Sequence, residues 1–358
     1  MKIAPIAAEL SRRPDEYTHV LVHTGQNYDR EMSALFLEEL GLGDPAHLLG
    51  VGSGSHAQQT ARVMEELEPV LLEEDPDIVL VPGDVNSTLA SAIVAAKLCL
   101  PIGHVEAGLR SFDRTMPEEI NRVLTDSVAE LLFTHSPEAQ GHLLREGIQE
   151  DRIHYVGNTM IDTLEALRHR IEVQDAPAEY GLSLGEYLLV TLHRPALVDG
   201  PLLRDALAAL ESVAREMPVI FPAHPRTQAR VAALGMRVSD TRLIQPVGYL
   251  EFLSLLAGAR GVITDSGGIQ EETTYLGIPC FTLRDNTERP VTIELGTNVL
   301  LGLNPTRIAE VPELLVAGRE GQTQIPPLWD GQAAKRIVDV LPQVREQDVL
   351  APALRARA

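Results

Sequence analysis

The ten residues from Ile263 to Glu272, ITDSGGIQEE, constrain this chain more than any other stretch. The apolar run Gly261-Val262-Ile263-Thr264 predicts a strand, and it stops at Asp265-Ser266-Gly267-Gly268. Ile269 to Leu276 then carries helical spacing. Strand, turn and helix in immediate succession are the unit of an α/β domain. Two glycines at such a turn let backbone N–H groups approach a ligand closely. The helix start adds free donors and a partial positive charge, which suits a phosphate or diphosphate. An ordinary tight turn in a Rossmann-like unit gives the same string, and this stretch alone does not separate the two.

The same grammar runs through the chain. Predicted strands at His19–Val22, Ile78–Val81, Ile102–Val105 and Leu132–His135 alternate with helices at Thr88–Leu98 and Glu118–Leu131. Further strands are predicted at Tyr187–Thr191, Pro218–Pro222, Gly261–Thr264 and Ile278–Leu283. Val79 to Val105 and Val262 to Leu283 share one layout of strand, Gly/Asp loop, helix, X-Pro and strand. The expected architecture is therefore α/β, with two Rossmann-like domains facing a cleft, and ligands beyond the carboxyl ends of the strands. Periodicity fades after Leu167, where Pro177 and several charges fall. This places a first domain at 1–166, a linker at 167–185, a second domain at 186–328, and a helix and tail at 329–358. Asp330 is expected to cap that helix with Trp329 as its anchor, and the chain is expected to fray after Gln343.

A length of 358 residues fits two domains, and 44% hydrophobic residues are enough for two cores. Aromatics are only 4%, so those cores must rest on aliphatic side chains. The formal charge of −21 carries no basic patch of the kind a nucleic-acid partner needs. Any anion must then be held by a locally positive site. Cys99 and Cys280 lie in apolar stretches and are expected to be buried free thiols. No metal-ligand spacing, signal peptide, membrane span or lipidation motif is found, so a cytoplasmic protein without a metal is expected. Gly50 to Ser55 imitates a dinucleotide fingerprint, but its third glycine comes too early and no strand leads into it.

Polar residues gather at the predicted strand ends. Asp84 follows Pro82-Gly83, and helix capping is its plain alternative role. Glu106 ends the strand in GHVEAGLR, with Arg110 near enough to pair with it. Glu118 and Arg122 lie four apart on one helix face, so Arg122 can orient Glu118 or a substrate. His193-Arg194 and His224-Pro225-Arg226 follow two strands of the second half, and Arg284 to Pro290 follows another. With Ser266 to Gly268 they would make a locally basic site opposite the acids Asp84, Glu106 and Glu118. Proton transfer with stabilisation of a phosphate leaving group is the matching chemistry.

These motifs resemble the non-hydrolysing UDP-N-acetylglucosamine 2-epimerases. The likeness rests on VHTGQ at Val22, PGD at Pro82, GHVEAGLR at Gly103, PEEINR at Pro117, GNT at Gly157, VTLHR at Val190, Asp265 to Glu272, RDNTERP at Arg284 and GT at Gly296. The resemblance implies a GT-B-like fold, a homodimer and no redox cofactor. It implies reversible inversion at C2 of a UDP-linked N-acetylhexosamine, through elimination of UDP to a 2-acetamidoglucal and re-addition. It puts acid/base roles on Asp84, Glu106, Glu118 and His193. It puts UDP contacts on Ser266, Gly267, Gly268 and Glu272, with Glu272 on the ribose hydroxyls, and substrate contacts are expected at Lys2, Arg122 and Arg194 as well. His224, Arg226 and Arg289 are placed near the nucleotide.

Two departures from the family pattern matter. Family members open with a strand and a Gly-Thr-Arg-Pro-Glu loop before the segment matching Lys2-Ile3-Ala4-Pro5, so a start roughly a dozen residues further upstream is expected. The strand belongs at the centre of the first sheet, and its loss would leave unpaired backbone groups and a core gap. Many members also read His-Arg-Arg-Glu where this chain has His193-Arg194-Pro195-Ala196, which weakens the expectation of activation by substrate. Other readings stay open at this point: a related substrate such as a UDP-2,3-diacetamido uronic acid, a GT-B glycosyltransferase, and an inactive homologue.

Overall fold

The computed structural model describes residues 1–26, 30–318 and 323–344, with the side chains of residues 30–34 left aside. The chain forms two compact units, residues 1–163 with 327 onward, and residues 164–326.

In the first unit the strands are β1 (Val22–His23), β2 (His47–Leu48), β3 (Val79–Pro82), β4 (Ile102–Val105), β5 (Leu131–Thr134) and β6 (Ile153–Tyr155). All pairings are parallel, in the order β3-β4-β5-β6 with β1-β2 as a separate pair. Alternate residues point to opposite faces of the sheet. Val81, Ile102 and Leu132 pack on one core cluster, and Val105, Leu131 and Phe133 on another. Both faces are covered, which is why these runs read as continuously apolar. A cavity of about 950 Å³ is lined by Val20 and Val22 together with Val79, Val81, Ile6 and Leu71. It borders both sheets.

The second unit contains β7 (Leu188–Thr191), β8 (Val219–Pro222), β9 (Arg242–Ile244), β10 (Gly261–Thr264), β11 (Cys280–Thr282) and β12 (Asn298–Leu300). Its sheet is also parallel and runs β12-β11-β10-β7-β8-β9. Counted from β7, this is the Rossmann strand order 3-2-1-4-5-6, with its switch point between β7 and β10. Val190, Val219 and Ile263 face one core cluster, while Leu189, Ile220 and Val262 face the other. Among the described residues no helix is long and apolar enough to cross a membrane.

Several boundaries differ from the sequence reading. The stretch taken for a linker is helical at Thr159–Gln174 and Ala176–Glu179, with Leu167, Ile171 and Ala176 buried. Its charges mark the solvent side of a packed helix rather than a connector. The C-terminal segment belongs to the first unit, where Ala334, Ile337 and Val338 of the helix Ala333–Val340 pack with Ile6 and Phe133. Trp329 does anchor it, donating its indole N–H to the His135 carbonyl at 2.8 Å. The cap is Asp162, which accepts from the N–H groups of Ala333 and Ala334, whereas Asp330 turns to Gln332 and Arg336. The end of the chain beyond residue 344 and the Asn27-Tyr28-Asp29 loop end lie outside the described residues. Cys280 is buried, but Cys99 is only half-buried, because it sits at φ 56° in the turn that follows a helix.

One glycine carries a stability prediction. Gly157 has φ 91°, and a Cβ there would run into the Leu328 carbonyl. Gly157→Ala is expected to lower unfolding free energy by about 1–3 kcal/mol, from left-handed strain and overpacking. Chemical denaturation checks this, and unchanged stability would show that the 328–329 segment yields freely.

Candidate functional site

In the second unit the site begins at the switch point. β7 and β10 are in register from Gly261↔Leu188 to Thr264↔Thr191, so both strands end at the same level. His193-Arg194 leaves one strand end and Asp265-Ser266 the other. Asp265 is 1% exposed and accepts from the backbone N–H groups of His193 and Arg194 at 2.9 and 2.8 Å. Its other oxygen meets His193 Nδ1 at 2.9 Å. Burial pushes the Asp265 carboxyl up, but the bonds from His193 and the two amides outweigh it and hold the group below its ordinary value. The ionised acid orients the imidazole with Nδ1–H inward, which leaves Nε2 for any further bond. The imidazole itself is half-exposed. Sequence reasoning named His193 and missed Asp265 as its partner; the partnership needs the parallel register of two strands distant in sequence.

The helix Gly267–Leu276 starts directly after Ser266. Neither Gly267 nor Gly268 uses a left-handed backbone. Gly267 is required for space instead, since a Cβ there would meet the Arg289 guanidinium and the Glu288 carboxylate. Gln270 is fully buried, donates to the Ser266 carbonyl at 3.2 Å, and accepts from Thr287 and Asn298 at 2.7 and 2.9 Å. It ties the turn to the segment that follows β11. The first N–H groups of this helix remain as donors for an anion.

The locally basic site expected from the sequence is largely neutralised. Arg289 is buried and paired with Glu271 at 2.8 Å and Glu288 at 2.6 Å. Arg226 and Arg230 both pair with Asp199. Arg194 approaches Glu288 at 3.9 Å. His224 caps its helix by accepting from the Arg226 N–H at 3.2 Å. A buried cation such as Arg289 needs such partners; Glu271 and Glu288 lie inside the quoted motifs, but their pairing with Arg289 is not encoded in their spacing. Glu272 is 2% exposed and accepts from the Tyr249 hydroxyl at 2.8 Å. Burial pushes its carboxyl up to about 7, with Glu271 adding to the rise and the tyrosine opposing it.

In the first unit the acids occupy the turns after β3 and β4. The helix after β3, Asn86–Lys97, takes Val85 as its N-cap without a side-chain bond, so Asp84 is not its cap. Arg122, 2% exposed, grips Asp84 at 2.8 Å and Glu119 at 2.6 Å. Asn121 donates to the Asp84 carbonyl at 2.8 Å. The expected Glu118–Arg122 partnership thus gives way to Glu119 and Asp84. Glu119 also accepts from the Ser111 and Phe112 N–H groups at 2.9 Å each, while Glu118 is half-buried in the first turn of the helix Pro117–Val128. Glu106 is 8% exposed, has φ 72° and pairs with Lys2. Arg110 turns away from Glu106 to Asp126 and Glu146, at 2.7 and 2.6 Å. Gln58 forms a capping box with Ser55, which accounts for the residues after the glycine cluster at 50–54.

The family model described as UDP-N-acetylglucosamine 2-epimerase matches residues 8–342. A UDP-N-acetylglucosamine 2-epimerase of Methanocaldococcus jannaschii is 42% identical over 352 residues, covering 95% of each chain. A UDP-2,3-diacetamido-2,3-dideoxy-D-glucuronate 2-epimerase of Pseudomonas aeruginosa is 41% identical over 329 residues, covering 90% of this chain and 91% of its own. The solved Methanocaldococcus jannaschii enzyme, in complex with UDP-GlcNAc and UDP, superposes with a TM-score of 0.85 at 40% identity, covering 96% of each chain. The chain consists of two Rossmann-like α/β units, the GT-B-like composition, and it belongs to the UDP-N-acetylglucosamine 2-epimerase family.

Proposed function

We propose that this protein reversibly epimerises UDP-N-acetylglucosamine to UDP-N-acetylmannosamine by eliminating and re-adding UDP. The observation that carries the reading is the pairing of two features within one family chain. The second unit has a helix-start anion turn at its switch point, beside the His193–Asp265 dyad. The first unit has carboxylates at successive strand ends, Asp84 and Glu106.

In this reading a carboxylate takes the C2 proton of the sugar. The C2–H electrons form the C1=C2 bond, and the C1–O bond to the diphosphate breaks. UDP carries away the electron pair, held by the Ser266 hydroxyl and the N–H groups of Gly267 and Gly268. Glu272 accepts from the ribose hydroxyls. Re-addition of UDP to C1 with protonation of C2 on the other face gives the epimer. Asp84, Glu106, Glu118 and His193 share the proton handling. Lys2 stands beside Glu106, and Arg122 stands beside Asp84.

In deuterated water the purified protein is expected to place deuterium at C2 of the UDP-sugar as the manno epimer appears. Mass spectrometry of the product checks this, and epimerisation that keeps the original hydrogen would overturn the elimination route. The Pseudomonas relative named for a diacetamido glucuronate favours running the assay with that substrate as well. Higher kcat/KM on the uronate would move the assignment to it. Acceptor-dependent sugar transfer without any epimer would make the protein a glycosyltransferase.

A further inference from the structure

His104 lies on β4, two residues before Glu106, and is fully buried. The proton-transfer scheme does not use it. Both of its ring nitrogens are engaged, Nδ1 with Asp126 at 2.6 Å and Nε2 with the Gly83 carbonyl at 2.7 Å. A carbonyl and a carboxylate only accept, so both ring nitrogens donate. The second oxygen of Asp126 accepts from the Gly108 N–H at 3.1 Å and from Arg110 at 2.7 Å. One imidazole therefore links Gly83, immediately before Asp84, to the carboxylate that holds Gly108, two residues after Glu106.

Both turns are conformationally demanding. Gly83, Glu106 and Gly108 have φ of 68°, 72° and 79°. A left-handed glutamate persists only where its surroundings over-determine it. Here the N–H groups of Glu106 and Ala107 both bond to the Phe133 carbonyl at 3.0 Å, and Asp126 fixes the next turn residue but one. Buried networks whose members are all satisfied specify one geometry.

We propose that His104 and Asp126 form a positioning pair that couples the turns carrying Asp84 and Glu106, and so sets the relative placement of the two acids. The inference rests on the epimerase reading for its kinetic consequence, but the coupling itself is a property of the fold. A histidine that merely filled the core would affect stability and leave turnover of the folded protein alone.

The test compares His104→Ala with Asp126→Asn in the full chain. An asparagine can offer its amide N–H to His104 Nδ1 and its oxygen to Gly108, keeping the link to Gly83 while losing the charge. Misplacement on the order of 1 Å costs about 10²-fold in rate, so His104→Ala is expected to lose about that in kcat, and Asp126→Asn roughly tenfold less. UDP affinity by calorimetry is expected to stay unchanged in both, because the diphosphate turn belongs to the other unit. Amide exchange at Gly83, Asp84 and Gly108 is expected to quicken in His104→Ala, with Gly268 to Gln270 unaffected.

Folded His104→Ala with normal kcat and normal exchange at these amides overturns the proposal. So does an Asp126→Asn variant as impaired as His104→Ala. If His104→Ala does not fold, His104→Gln, which keeps one donor, takes its place and must show the same kcat loss and exchange. Should the wild-type protein fail to epimerise, the functional reading falls, while the exchange data still decide whether the two turns are coupled.

Discussion

Glu106→Gln is expected to lower kcat by about 10²–10⁴-fold, the range for removing a positioned general acid or base. UDP affinity is expected to stay near the wild-type value. The substitution is close to isosteric, and the backbone that holds Glu106 at φ 72° does not depend on its charge. What is lost is the ability to accept a proton. Lys2 loses its carboxylate partner, but it is about a quarter exposed and can be rehydrated, so the fold should survive. Calorimetric UDP titration beside an epimerisation assay separates the two quantities. If Glu106→Gln abolishes UDP binding and keeps turnover per bound substrate, the assignment of Glu106 to the sugar end is wrong.

Glu272→Gln is expected to do the opposite, and to stabilise the empty protein. A charge-assisted hydrogen bond is worth about 1.5–3 kcal/mol, so UDP affinity should fall roughly 10- to 150-fold. Turnover of bound substrate should change little. The stability effect follows from the carboxyl being pushed up to about 7 by burial, against an ordinary value of 4.5. Between those two values the folded chain holds a proton that the unfolded chain has released, so stability falls as pH rises through this window. Above pH 7 the loss is complete and amounts to about 3 kcal/mol. Glutamine has no such loss. The variant should therefore match wild type below pH 4.5 and exceed it by up to that amount at pH 8, read by urea denaturation without ligand. Equal stability at both pH values would show that the Glu272 carboxylate is already fully compensated in the empty protein. In the proposed binding mode, a buried acid that destabilises the empty protein and accepts from a ligand's hydroxyls would trade stability for binding.

The secondary structure was legible wherever a strand is buried on both faces. β4 and β10 lie at the bounds read from the sequence, and six other strands shift by only a few residues at their ends. Continuous apolar runs flanked by turn residues mark such strands whatever surrounds them. β2, β6, β9 and β12 were not read, because each has only two or three residues of mixed polarity. They exist through pairing with a neighbour. The supposed linker failed for a related reason: a helix that shows charges on its solvent side loses the apolar signal by which helices are read.

Sequence alone determined the class of the fold, the family, and which residues stand at strand ends, because those follow from local periodicity and from short motifs. It placed Asp84, Glu106, His193 and the Ser266–Gly268 turn without any knowledge of packing. Tertiary structure decided how these groups are held. Asp265 aims His193, Arg122 grips Asp84, Lys2 meets Glu106, and Glu271 with Glu288 neutralises Arg289. It also decided that Gly267 serves space rather than backbone freedom. Most of these partners are remote in sequence; His193 and Asp265 meet because the parallel strands β7 and β10 end at one level, and Arg122 and Glu271 are supplied by helices packed beside the strand ends. Hydrogen-bond and ion-pair energies depend on distances of a few ångströms, and linear spacing does not encode them.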